Sequence, residues 1–563
     1  MDRRTFLTTT LGAAGVLLVG ACSNSDDESG SGRSGPDDEA ADGANLTPAP
    51  RPTLRLAGED WGVPSPFAYS RGPGYLRMSL IYDTLLWKDE SGDPLPWLAE
   101  SFEESEDGLT YTFTLRDGVL WHDGEPLTAE DVKFTFDYYA SQTISPQLIV
   151  QPIPEIVEIV AVDDRTVEFH LQSPAATFLQ FGGAGAVPIV PRHVWSGVGN
   201  AGAESDLAKL VGTGPYVLES YSQGEGAYLY SANDDFFLGV PFVERLELRP
   251  AGDPATALLG GELDAIELFG ARPEVMAPFE NDDAFTRLEF PPGSSGTGLY
   301  WNLARGGALA DVRFRQACAR AIDRDDLVER LFGGNATPGN PGWIPPEHSF
   351  HVDVEQYDFD LGEANALLDD AGYTRSGDGV REGPDGPLRF ELLVFNPVTP
   401  AVDLLVGALG AVGIELVAAA VDTPTFNERV LSGQSEMSLI GFGGMNSDLA
   451  PDYLRLVYSS QTAITQHAQG YVNDDVDRLC QEQLETLDVE ARKDVVAEIQ
   501  EQIAADLPLL PLFYPSSFAV VRAEAFDAWY VTPGCVASTI PSILNKQVFV
   551  TGQKTGTEIR PTE

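Results

Sequence analysis

Positive charge is scarce in this chain. Only 35 basic residues, six of them lysine, face 86 acidic ones, and the formal net charge is -51. Such a surface repels polyanions, which excludes nucleic acid as a partner. The same carboxylates would strain a compact fold in dilute salt. In molar salt the screening length falls to ~3 Å, and acid excess with few lysines resembles proteins of extreme halophiles; the other reading is a merely acidic secreted protein. Cysteine is equally rare, at 22, 318, 480 and 535, with no CxxC pair and no readable disulfide framework. Cys318 and Cys480 sit in helical-looking segments and read as small buried hydrophobes. After residue 21 no run of ~18 uncharged apolar residues occurs, so nothing there reads as a membrane-spanning helix.

Catalytic and metal motifs are missing too. No GxSxG, HExxH or P-loop occurs. Gly197-Val-Gly-Asn-Ala-Gly202 matches GxGxxG but follows PRHVWS, which is no strand pattern, so it reads as a loop. Among six histidines, His348 and His351 are spaced HxxH, but Pro345 and Pro346 place them in a loop with no firm third ligand. The acids of AIDRDDL, 321–327, lack the glycine and terminal glutamate of a calcium loop, and Asp323 or Asp325 reads as a helix cap. No catalytic constellation emerges, and no cofactor or metal is expected.

What is present begins at the amino end. Arg3-Arg4 precedes Phe6–Ala21, about 16 uncharged residues, short of the ~20 that span a bilayer. A basic start, an apolar middle and small residues make an export signal. Arg3-Arg4-Thr5-Phe6-Leu7 resembles a twin-arginine signal, which exports folded proteins. Val19-Gly20-Ala21-Cys22 resembles a lipobox, whose cysteine carries a diacylglyceryl chain; the alternative is an ordinary secreted protein. Residues 22–52, rich in Ser, Gly, Asp and Pro, bury too little apolar surface to fold and read as an acidic tether.

The rest, about 510 residues, suggests two or three domains of mixed α/β type. TYTFTLR, 110–116, alternates Tyr111, Phe113 and Leu115 with threonines, a half-buried strand. Asp117-Gly118 and Asp123-Gly124 mark turns, and Thr128 with Asp131 caps a helix carrying Val132, Phe136 and Tyr139. Gly212–Tyr216 turns into a strand. Asp360 and Glu363 open a helix with Leu361, Ala364, Leu368 and Ala371 inward, closed by Gly372. A last helix spans about 490–506, with Ala491, Val495, Ile499 and Ile503 inward.

The segment 98–136, LAESFEESEDGLTYTFTLRDGVLWHDGEPLTAEDVKFTF, resembles the signature of the extracytoplasmic solute-binding proteins of family 5, the oligopeptide- and dipeptide-binding group of ABC importers. PIVPRHVW (188–195), GTGPYVLESY (212–221), LLGGELDAIEL (258–268), LYWNLARGGALADVRFRQACARAIDRDDLVERLFGGNATP (299–338) and PLLPLFYP (508–515) follow in family order, so the resemblance covers about 53–530. It implies a two-lobed α/β fold of the periplasmic-binding-protein type (class II, cluster C). Lobe I would comprise 53–300, with an inserted subdomain at about 81–208, and a return at 515–556. Lobe II would be 301–514. It implies a monomeric, lipid-anchored, non-enzymatic receptor outside the cell membrane that hands a small molecule or peptide to permease subunits with ATPases behind them.

The resemblance also nominates contacts. In peptide binders of the family a carboxylate holding the peptide amine follows a glycine-tryptophan pair. The matching stretch here is SLIGFGGMNSDLAPDYL, 438–454, where Phe442 replaces the tryptophan; Asp448 is the candidate, with helix capping as its other reading. Phe67, Tyr69, Arg71 and Tyr75 lie where the family brings its first strand and loop to the cleft, and Tyr300, Trp301 and Asn302 enter lobe II there. For each aromatic, core packing is the alternative. Nickel chelates, opine-like solutes or sugars are other cargoes. An exported cofactor enzyme and a surface sensor are the rival roles.

Overall fold

The computed structural model describes residues 52–550 apart from 70–72, 90–92, 143–154, 291–292, 294, 378, 396–398, 444–449, 463, 465–466, 527 and 533–541. Cys22, Arg71, Asp448 and Cys535, with the signal and tether, lie outside the described residues. Among the described residues no helix is long and apolar enough to cross a membrane.

Two sheets organise the chain. The first has seven strands in the order Phe285–Glu289, Ser517–Arg522, Ala265–Phe269, Leu54–Gly58, Arg245–Pro250, Ala227–Ala232 and Tyr216–Ser222. Leu54–Gly58 runs parallel to both of its neighbours, and the other pairs are antiparallel. The second has six, in the order Ala336–Pro338, Leu509–Pro515, Ser295–Trp301, Met437–Gly443, Arg389–Phe395 and Glu415–Val421. Helices cover both of its faces, so alternate residues of one strand enter different cores: Leu299 and Trp301 join one, Tyr300 the other.

The signature segment builds a separate four-stranded antiparallel sheet from Ala99–Glu104, Thr110–Leu115, Thr166–Leu171 and Ile156–Ala161. Tyr111, Phe113 and Leu115 point inward, as the alternation predicts. Thr128 caps the helix Ala129–Ser141 in a capping box with Asp131, whose carboxylate accepts the Thr128 backbone N–H at 3.0 Å. This sheet shares one apolar core with the seven-stranded sheet: Phe113 and Phe169 belong to the same cluster as Leu54 and Leu246. A buried Lys546–Asp83 ion pair pins the C-terminal helix Lys546–Val550 to that core. Asp83 also accepts from Trp97 Nε1 at 2.7 Å and Thr213 Oγ1 at 2.7 Å, and Lys546 Nζ lies 4.1 Å from the Trp87 ring centre.

Two predicted helices keep most of their inward stripe but each loses its first residue, Ala491 and Leu361, to solvent. The stripe of Val489–Asp506 consists of Arg492, Val496, Ile499, Gln500, Ile503 and Ala504, while Ala491 is exposed. The cause is polar: Arg492 is buried against Asp452 and Gln483, at 3.1 and 2.7 Å, and Gln500 donates to the Phe350 carbonyl. An apolar pattern cannot anticipate buried polar residues whose partners lie on other elements. In the helix Leu361–Asp370, Ala364 and Leu368 are buried, but Leu361 at its first turn faces solvent. Cys318 and Cys480 are buried and free, and burial pushes the Cys480 thiol up to about 12.

The chain crosses between the large sheets twice, from Glu289 to Ser295 and from Pro515 to Ser517. The crossings are tied together by Phe290 N–H to the Ser517 carbonyl, 2.8 Å, and Gly270, after the strand Ala265–Phe269, donates to the Ser516 carbonyl of the second, 2.9 Å. Gly293, at φ 79°, has no room for a side chain: a Cβ would stand 2.4 Å from Pro345. At another point the halves meet again. Ala176 N–H donates to the Leu484 carbonyl at 2.8 Å, and Leu487 packs on Gly108 of the four-stranded sheet's half.

Candidate functional site: an aromatic box beside the crossings

Strand Ser295–Trp301 leaves one crossing and lies between the strands 437–443 and 509–515. Its first half alternates glycine, at 296 and 298, so the backbone there is bare. Rings fill the space: a Cβ on Gly296 would fall 2.2 Å from the Phe442 ring and 2.9 Å from that of Tyr514. A Cβ on Gly298 would fall 3.0 Å from the Tyr300 ring. Glycine is therefore required at 296 by the approach of the rings, not by its dihedral angles.

Trp343 completes the arrangement from the loop that follows Ala336–Pro338. Its backbone takes φ 74°, a conformation unusual outside glycine. Two bonds hold it there: Trp343 N–H donates to the Asn340 carbonyl at 2.8 Å, and the Tyr514 hydroxyl donates to the Trp343 carbonyl at 2.7 Å. The Trp343 ring lies 4.0 Å from Phe442 centre to centre and meets Tyr458, 5.7 Å away, at 90°. Tyr458 ends the helix Ala450–Tyr458.

The box is dry and donor-rich. Tyr300, Trp343 and Tyr458 are at most 2% exposed, yet the Tyr300 and Tyr458 hydroxyls and Trp343 Nε1 have no hydrogen-bond partner among the described residues. Burial raises the Tyr300 and Tyr458 phenols well above their ordinary value of 10, and neighbouring Tyr514 pushes the same way. They therefore stay protonated donors at any physiological pH. The positive charge that acts on Tyr514, Arg324, is committed to the carbonyls of Gly339 and Gln356.

The sequence-nominated residues divide into three groups. Tyr300 and Phe442 come together in this box. Phe67, Tyr69 and Tyr75 come together in the other half. There Phe67, 2% exposed, packs on Tyr139 at 4.6 Å and Trp195 at 4.9 Å, and Tyr69 meets Tyr75 at 5.9 Å. These three rings lie in the apolar core of that half. Trp301 and Asn302 are brought to neither place. Trp301 enters the opposite core, and the Asn302 amide donates to the Gly433 and Ser435 carbonyls at 3.1 and 2.9 Å. Sequence reasoning missed Trp343, Tyr458 and Tyr514. The signal for Trp343 was a lone tryptophan bracketed by Pro341-Gly342 and Pro345-Pro346, a rigid loop presenting one large ring.

GxGxxG at 197–202 is a surface loop after the short helix Arg192–Trp195. Asp323 caps Arg324–Phe332 by accepting Asp326 N–H at 2.9 Å. His351 Nδ1 engages the Ile344 carbonyl at 3.0 Å, and the described residues hold no cluster of three metal-ligating side chains.

Comparison with known proteins agrees with this architecture. The model for bacterial extracellular solute-binding proteins, family 5 (middle region), matches residues 93–464. A Brucella ovis protein described as a candidate ABC transporter peptide-binding protein is 30% identical over 396 residues, 68% of this chain and 70% of its own. Heme-binding protein A of Haemophilus influenzae is 26% identical over 565 residues, 93% of this chain and 98% of its own. In three dimensions the oligopeptide-binding protein AppA of Bacillus subtilis, solved with a nonapeptide, superposes with a TM-score of 0.74 over 90% of this chain and 99% of its own, at 20% identity. The two-lobed α/β fold is thus that of a solute receptor. A match over two-thirds of its length, in a fold built around two crossing segments, makes this chain a member of family 5 of the bacterial extracellular solute-binding proteins.

Proposed function

We propose that this protein is the solute-capturing lipoprotein of an ABC importer and that its cargo is peptides. The observation that carries the reading is the junction of two sheet-based halves by two crossings, with a buried aromatic box of unpaired donors beside them. A solute that touches both halves favours the closed arrangement by its differential affinity, and that arrangement is what a permease with its ATPases recognises. An extended peptide brings backbone carbonyls to unpaired donors and apolar side chains to rings. The names of the Brucella relative and the Bacillus structure support peptide cargo; the Haemophilus relative is named for heme.

The signal at 1–21 and Cys22 would hold the body at the outer membrane face through residues 22–52, a coil of about 30 residues spanning roughly 30 Å. Two acyl chains give a stable anchor where one gives a marginal one. The acid excess suits a briny exterior. Lobe I at 53–300 and 515–556, and lobe II at 301–514, are the rigid halves of the trap.

The test is to purify the body without residues 1–22 in molar salt, denature it, and identify the released solutes by mass spectrometry. A set of short peptides is expected. A single non-peptide solute, or a cargo absorbing visible light, refutes the peptide assignment.

A further inference from the structure

Three buried donors without acceptors converge on one box. The Tyr300 and Tyr458 hydroxyls and Trp343 Nε1 find no partner among the described residues, and the side chains that bear them are almost wholly enclosed. A phenylalanine at 300 or 458 would fill the same volume with no orphaned hydroxyl, so packing does not account for the phenols. The ring faces, in contrast, are already used. Phe442 covers Trp343 at 4.0 Å and itself lies over the bare backbone of Gly296. That leaves edges and donors, rather than open π-faces, for an incoming group.

We infer that the box receives an uncharged acceptor of the cargo, an amide or other carbonyl oxygen, and discriminates there against carboxylate and ammonium. An ammonium brings three donors to groups that themselves need acceptors. A carboxylate is desolvated here without a cation to compensate it, because Arg324 is committed to two backbone carbonyls. An amide oxygen satisfies the donors at little desolvation cost. Trp343 holds its place in this loop in a left-handed backbone conformation, φ 74°, which is costly outside glycine. The inference rests on the proposed capture function and adds the chemistry of one subsite to it.

The experiment uses alanine tripeptides with Gln, Glu, Leu or Lys placed at each position in turn. Affinity for the soluble body is measured by calorimetry in molar sodium chloride. At one position Gln is expected to bind about 5–10-fold more tightly than Leu, as one neutral hydrogen bond allows, and to exceed the near-isosteric Glu and Lys by more. Tyr300→Phe and Tyr458→Phe are expected to erase the Gln advantage while raising the thermal midpoint of the unliganded protein. A merely structural role would not pair those two effects. Equal binding of Gln and Glu, or of Gln and Lys, at every position overturns the inference, as does a Gln preference that survives both substitutions. If no tripeptide binds, peptide cargo fails instead, and a second arm decides the subsite. Solutes carried by the wild type and by the Y300F/Y458F double variant are released by denaturation and compared by mass spectrometry. Loss or exchange of the wild-type solutes supports the subsite, and identical solutes overturn it.

Discussion

Leu487 offers the most direct way to weaken closure without touching the box. It lies in the half that contains the six-stranded sheet but rests on Gly108 of the other half, near in sequence to the Ala176–Leu484 backbone bond. It is 38% exposed, so about three-fifths of it is covered. Leu487→Ala removes three carbons. At about 0.8 kcal/mol per fully buried carbon, and with that partial cover, the loss is about 1.4 kcal/mol. The contact spans the halves, so the loss falls on the closing equilibrium rather than on either core. That is about a tenfold drop in the ratio of closed to open. If the free protein is mostly open, apparent affinity for captured solute weakens by the same factor. The change is expected in the dissociation rate, because the open form still encounters ligand normally. Stopped-flow release of bound peptide, with X-ray scattering of the liganded protein, measures both. Val489, 56% exposed nearby in sequence, is the control, and Val489→Ala should do nothing. Unchanged release and unchanged dimensions in L487A would refute the idea that this contact holds the trap shut.

Three more outcomes are expected. Lys546→Met strands the buried Asp83 carboxylate, which costs about 3–5 kcal/mol and lowers the thermal midpoint; the double variant Asp83→Asn/Lys546→Met recovers part of the loss, because no lone charge remains. Burial holds the His122 and His467 imidazoles below their ordinary 6.5, so the unfolded chain takes up more protons as pH falls through about 6.5. Their contribution to stability is whole above that pH and declines below it, and thermal scans from pH 7.5 to 5 should flatten in His122→Gln. Finally, with a net charge of -51, the midpoint should climb as salt rises from 0.1 M to 1 M and the screening length falls from about 10 to ~3 Å; a flat response would remove the halophile reading.

Local structure was legible wherever neighbours in sequence decide it. The alternation of 110–116 needed no tertiary information to become a strand, and Thr128 with Asp131 needed only three residues' separation to form a capping box. Asp323 was readable as a cap for the same reason. In the last helix Ile499, Ile503 and half-buried Val495 face the core as read, but Ala491 does not, and Arg492 and Gln500 are buried as well. Their partners, Asp452, Gln483 and Phe350, lie on other elements that no helical periodicity can point to. The division of the fold into two sheets followed from resemblance, not from pattern. Nothing local says that Phe285–Glu289 and Ser295–Trp301, six residues apart, belong to different sheets.

The site was the least legible part, because its members share no segment. Tyr300, Phe442 and Tyr514 come from three adjacent strands, Trp343 from a loop and Tyr458 from a helix end. What makes them a site is a deficit, three buried donors with nothing to bond, and a deficit exists only once every neighbour is known. Asn302 differs in its donor: its side-chain NH2 is given to the Gly433 and Ser435 carbonyls, while its buried Oδ1 has no partner among the described residues. Phe67 and Trp301 are likewise occupied by core partners. A ring in a core gains by burial alone, whereas a buried hydroxyl without an acceptor loses free energy until something supplies one. In a protein whose fold is that of a solute receptor, the group able to supply it arrives with the cargo.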